Sequence, residues 1–145
     1  MSVLGALVVV VALLGASAFG VVRRSRAGRV RASAPQQLNA ETLAPDTLGG
    51  APLGERATLV QFSSAFCRPC VATRHVLREV ADTAPGVRHV EVDAESHLEL
   101  VRALGVASTP TTLLVDGSGI VRHRAVGVPR RDEVYAALAA LVAGR

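Results

Sequence analysis

The chain has 145 residues, half of them hydrophobic, which is enough for one domain with an extension and too little for two ordinary domains. Its formal net charge of +4 is unevenly placed: Arg23, Arg24, Arg26, Arg29 and Arg31 crowd near the amino end, while the other eleven arginines are set against twelve acids. A main part so close to neutral, in a chain with only 3% aromatic residues to stack on bases, argues against a nucleic-acid binder.

Val3 to Val22 is an uncharged run of twenty residues, and a helix of that length spans roughly 30 Å, the thickness of a bilayer's hydrocarbon core. It reads as a transmembrane anchor over residues 1–22. A cleavable signal sequence is the rival, since Ala16-Ser17-Ala18 resembles a small-residue cleavage site. However, a secretory signal carries its positive charge ahead of the apolar run, and here only Met1-Ser2 precedes it. Arginine-rich flanks stay on the cytoplasmic side, so the five arginines that follow predict an outside amino terminus and a cytoplasmic domain, with the extracytoplasmic side as the alternative. The same arginines suit anionic lipid head groups.

Residues 23–52 read as an Arg-rich juxtamembrane segment and linker. Pro35, Pro45, Pro52, Gly49 and Gly50 interrupt any periodicity, although Leu43 and Leu48 could place a short edge strand. A folded domain is expected over 53–145.

Thr58-Leu59-Val60-Gln61-Phe62 reads as a mostly buried strand. A helix follows from Cys67 to about Ala81, with Thr73, Val76, Leu77 and Val80 on one face, until Asp82 to Gly86 breaks it. Cys67 and Cys70 are the only cysteines. At the start of a helix the Cys67 sulfur meets unpaired N–H groups and the positive end of the dipole, which favours thiolate and makes it the candidate nucleophile. Cys70, one turn further in, is placed to attack a mixed disulfide on Cys67 and is the candidate resolving thiol. Pro69 fits the first turn, and Arg68 adds a cation beside the thiolate. Two rivals are weaker. Two small buried hydrophobes would draw Arg68 into a core, and structural zinc would need two more ligands, whereas His75, His89, His97 and His123 are scattered.

Val87 to Asp93 alternates as a strand. Ser96 to Leu104 reads as a short helix capped by Ser96 with Glu99 three residues on, and Gly105 ends it. Thr111 to Val115 and Ile120 to Val126 are expected as antiparallel strands joined by Asp116-Gly117-Ser118-Gly119. Pro129 opens a last helix, on which Val134, Leu138, Leu141 and Val142 share a face.

The strand leading into Cys67-Arg68-Pro69-Cys70 and the later Gly105-Val106-Ala107-Ser108-Thr109-Pro110-Thr111 resemble, in order and spacing, the two signatures of the thioredoxin superfamily. The resemblance covers about residues 53 to 143. It implies an α/β fold with a central mixed sheet flanked by helices on both faces, and a cis Pro110 facing the sulfurs. It also implies a substrate surface formed by Phe66, Arg68, Pro69, Thr109 and Pro110. The opening strand and helix of that family look shortened or missing here. Gln61 stands where thioredoxin keeps a buried acid, Phe66 replaces a tryptophan, and His75 replaces a helix-kinking proline. Gly127 matches a glycine that approaches the active site in relatives, though a plain strand-ending glycine fits equally well. His75 reads as a surface residue, and His89, His97 and His123 lie on expected surfaces with no function assigned.

The expected function is membrane-tethered thiol–disulfide exchange with disulfide-containing or dithiol proteins through Cys67 and Cys70, with no cofactor and no metal. The alternative is a binding or assembly module that keeps the fold and uses its cysteines little.

Overall fold

The computed structural model describes residues 3–26, 29–32 and 43–143. Residues 27–28 and 33–42 of the expected linker lie outside the described residues, as do the side chains of Arg23, Arg24, Arg26 and Arg31. Helix α1 runs Val3–Arg26. Its described side chains, 7–22, are all exposed. Among the described residues no helix is long and apolar enough to cross a membrane. The expected span is thus matched as a helix and not as a bilayer-length apolar one.

Five strands form one mixed sheet: β1 (Arg31–Ala32), β2 (Ala57–Ser63), β3 (Val87–Asp93), β4 (Thr111–Asp116) and β5 (Val121–Val126), in the order β1-β5-β4-β2-β3. Strands β2 and β3 are parallel, and the other pairs are antiparallel. Every residue of β2 and β4 is buried, as central strands covered on both faces require. Side chains alternate between the faces. Val60, Phe62, Leu113 and Val115 pack with Leu104 and Val106, which lie at and beyond the end of the short helix α3 (Leu98–Ala103). Leu59 and Leu114 face the opposite way and pack against Leu77 and Val80 of α2 (Arg68–Thr83) and Val134, Leu138 and Leu141 of α4 (Arg131–Ala143). Burying each such side chain contributes about 1.5–3 kcal/mol. The expected layering of helices on both sheet faces is therefore present.

Three local expectations differ from what is found. Leu43 and Leu48 form no edge strand; both are buried in the core around a 3-10 turn (Pro45–Leu48), and the Leu43 N–H donates to the Gly119 carbonyl at 2.9 Å. The short edge strand is instead Arg31–Ala32 beside β5, while β3 forms the other edge among the described strands. Ser96 caps nothing: its hydroxyl donates to Asp93, whose other carboxylate oxygen accepts the Glu95 N–H, so α3 starts later with His97 as its first flanking residue. This local turn engages the Ser96 hydroxyl that a capping box would have turned toward the Glu99 N–H. The last helix begins at Arg131, two residues past Pro129, and its first turn closes with the Val134 N–H on the Arg130 carbonyl at 3.1 Å.

Candidate active site

The second helix opens where β2 leaves the sheet. After Ser63 the chain turns through Ser64 to Phe66, and the Cys67 N–H donates back to the Ser64 carbonyl at 3.2 Å. Cys67 is the N-cap: it is extended, and its sulfur accepts the Cys70 N–H at 3.2 Å. An N-cap normally offers an oxygen to such an orphan donor, and here sulfur takes that place. Arg68 and Pro69 form the exposed first turn. The two cysteines are joined as a disulfide with their Cα atoms 5.3 Å apart. They are not equivalent, because Cys67 is only partly buried, whereas Cys70 is 1% exposed.

The second signature segment lies beside this turn. The Thr109–Pro110 bond is cis, and the Thr109 hydroxyl lies 3.1 Å from that of Ser64. Pro110 is buried, and its carbonyl accepts the Gly127 N–H at 2.8 Å. Gly127 has φ +88°, a left-handed conformation that other residues adopt at a cost, so its glycine follows from the backbone it must hold against Pro110. Phe66 stands 98% exposed at the rim. The structure therefore brings the expected residues into two neighbouring segments: Phe66 to Cys70 on one side, Thr109 and Pro110 on the other, joined through Ser64.

Beneath the rim lies a polar floor. Gln61 is wholly buried; its Nε2 donates to the Cys70 carbonyl at 3.0 Å, and its Oε1 lies 3.1 Å from His89 Nε2. His89, expected on a surface, is half-buried, and burial, with Glu91 opposing, lowers its pKa to about 4. Next along the strand, the Glu91 carboxylate accepts two hydrogen bonds from Arg74, each at 2.6 Å, and one from the Ser63 hydroxyl at 2.6 Å. The Arg74 guanidinium holds the Glu91 carboxyl below its usual range, and the Arg74 pKa is raised in return. The register between β2 and β3 is what assembles this floor. With Leu59 opposite His89 and Gln61 opposite Glu91, all four side chains must share the sheet face that α2 covers. Thr112, paired with Gln61 across β4, carries a buried hydroxyl without a hydrogen-bond partner among the described residues.

Away from this floor, His75 is exposed on α2, and the His97 ring lies 3.0 Å from the Asp93 carbonyl. Among the described residues no three His, Cys, Asp or Glu side chains gather as metal ligands. An open cleft of about 480 Å³ along the β3 edge is lined by Arg78 and Asp82 of α2, by Arg88, His89 and Glu91 of β3 and by Pro52.

Residues 52–140 match the family model for thioredoxin. The chain is 27% identical over 80 residues to a thioredoxin of Mycoplasma genitalium, covering 55% of this chain and 78% of that one. It is 30% identical over 87 residues to a thioredoxin of Alicyclobacillus acidocaldarius, covering 59% and 82%. Among solved structures, a mutant thioredoxin from Halobacterium salinarum superposes with a TM-score of 0.56 at 22% identity, over 61% of this chain and 76% of that one. Spinach chloroplast thioredoxin f does so with a TM-score of 0.55 at 19% identity, over 70% and 88%.

Proposed function

The chain belongs to the thioredoxin family and is a thiol–disulfide oxidoreductase, and from that premise we propose that Cys67 and Cys70 divide the exchange between them at a membrane surface. Cys67 is the sulfur that partners reach. In the reducing direction its thiolate attacks a partner disulfide, a bond forms from Cys67 to one partner sulfur, and the other partner sulfur leaves with the electron pair. Cys70 then loses its proton and attacks Cys67, the Cys67–Cys70 bond closes, and the second partner sulfur leaves as thiolate and takes up a proton. Run in reverse, the same steps oxidise a dithiol.

The observation that carries this reading is the contrast in access, Cys67 partly open at the mouth of α2 and Cys70 closed beneath it. The Cys70 N–H aimed at the Cys67 sulfur and the positive end of α2 both favour a thiolate there. Phe66 offers an apolar contact to the partner, Arg68 a charge, and Pro69 a rigid first turn. Thr109 and the backbone at Pro110 line the other side of the docking surface. Replacing Cys70 with Ala removes the second step, so Cys70→Ala is expected to accumulate partners covalently bound through Cys67. Non-reducing electrophoresis after rapid acid quenching checks this, and recovery of no mixed disulfide where the unmodified chain turns over would overturn the assignment.

The tether is the second half of the proposal. The side chains of α1 from Leu7 to Val22 are apolar around the helix, apart from Ser17, and all of them are exposed, an arrangement that suits lipid better than water. The five arginines that follow favour the cytoplasmic side for the catalytic domain. Alkaline extraction should leave the full chain with the membrane, and a reporter active only in the cytoplasm, fused after Arg145, should be active. An expressed but silent fusion would reverse the orientation.

A further inference from the structure

The geometry points to His89 as a positioning residue for Cys70: through Gln61 it holds the first turn of α2 where the buried sulfur can attack. The inference rests on the dithiol reading above and concerns its second step only.

The direction of the two hydrogen bonds is forced. The Cys70 carbonyl can only accept, so Gln61 must present Nε2 to it at 3.0 Å, which turns Oε1 toward His89 at 3.1 Å. Oε1 can only accept as well, so the imidazole carries its proton on Nε2. Gln61 is wholly buried, and water cannot stand in at either end of its amide. The neighbouring Thr112 hydroxyl has no partner among the described residues and does not hold the amide, so the hold falls to His89. Without a donor at position 89, Oε1 is left unpaired. Rotating the amide to relieve it would set oxygen against the Cys70 carbonyl. Either way the amide that ties the first turn of α2 to β2 is no longer held in place.

The charged groups around His89 are Glu91 and Arg88 on its own strand and Arg74, Arg78 and Asp82 on α2. Burial is the largest influence among those acting on the ring, and it keeps the imidazole neutral at pH 7 with its Nε2 proton in place for Gln61. His89 therefore acts by geometry, and its effect belongs to the step in which Cys70, having lost its proton, attacks the Cys67 sulfur and expels the partner thiolate. A displacement of the order of 1 Å in such an attack costs up to about a hundredfold in rate.

The test uses the reduced full chain and an aromatic disulfide that releases a coloured thiolate. Attack by Cys67 releases one equivalent, and attack by Cys70 on the resulting mixed disulfide releases the second. We expect His89→Phe, which keeps the bulk and loses the donor, to leave the first release within about twofold and to slow the second about tenfold. His89→Gln, which keeps an N–H at similar reach, should restore the second release. In a Gln61→Leu background, His89→Phe should add no further slowing. Equal second releases in His89→Phe and the unmodified chain, or equal slowing by Phe and Gln, would overturn the inference while leaving the dithiol reading intact. An unmodified chain that releases no coloured thiolate would remove that reading itself, and this inference with it.

Discussion

At the mouth of α2, Phe66, Arg68 and Pro69 are exposed and Cys67 is half-open; one turn further in, Cys70, Gln61 and Thr73 are closed from solvent, and Gln61 ties the Cys70 carbonyl to β2. The rim and the floor are separated by a single helical turn, and they meet opposite demands. A sulfur that exchanges with other proteins must be reachable, so the rim cannot be covered by the fold that supports it. A sulfur that closes the intermediate must wait in a fixed place, and hydrogen bonds and packing on all sides supply that. Substitutions at the rim should therefore change exchange and spare stability, while substitutions below it should change stability first.

The largest expected effect lies under the floor. Leu77 is wholly buried between α2 and the sheet. Leu77→Ala is expected to lower unfolding stability by about 2–5 kcal/mol, measured as a shift in the denaturant midpoint at unchanged slope. A loss under about 1 kcal/mol would mean that α2 is not anchored by this face, and the contrast between rim and floor would weaken.

A smaller effect is expected from Glu91, which ties α2 to β3 through Arg74. Its pKa in the folded chain is depressed, chiefly by the hydrogen bonds from Arg74. A depressed acid contributes stability above its unfolded value, near 4.3, and the contribution disappears as the pH falls through the folded value. Glu91→Gln should therefore cost about 1 kcal/mol at pH 7, the modest size expected of a pair still partly open to water. The gap between the two chains should close on going below about pH 4. A gap of constant size from neutral to acid pH would show that the Glu91 charge is not what holds α2 there.

The rim was legible in the sequence because its logic is local. Two cysteines one turn apart, a proline in the first turn and an apolar strand leading in define the mouth of a helix without reference to the rest of the chain, and the helix does start at Arg68 with Cys67 as its cap. The alternation in Val87–Asp93 and the turn at Asp116 were legible for the same reason. The floor was not, because it depends on which strand lies beside which. His89 reads as a surface histidine until β3 is placed parallel to β2 in the register that brings it within reach of Gln61. The edge at Arg31–Ala32 needed the same long-range pairing, and Leu43 and Leu48 reached the core from a stretch without periodicity. At Ser96 a local pattern misled, since its hydroxyl donates to the Asp93 carboxylate instead of accepting an N–H at the start of a helix.

The smallest effect on stability, and the most direct probe of the rim, is expected at Phe66. Its ring is 98% exposed beside the reactive sulfur. Apolar area that the fold never removes from water contributes nothing to folding by burial. Phe66→Ala should therefore leave the unfolding free energy within about 0.5 kcal/mol of the unmodified chain. The ring can still contribute when a partner covers it, because an aromatic side chain brought out of water at an interface is among the larger sources of binding energy. Exchange with a protein disulfide such as insulin should then fall several-fold, while exchange with a small aromatic disulfide, which has no surface to lay on the ring, should stay within about twofold. Equal losses toward both substrates would place the effect on the Cys67 sulfur itself, and the rim would then be part of the chemistry instead of a docking surface beside it.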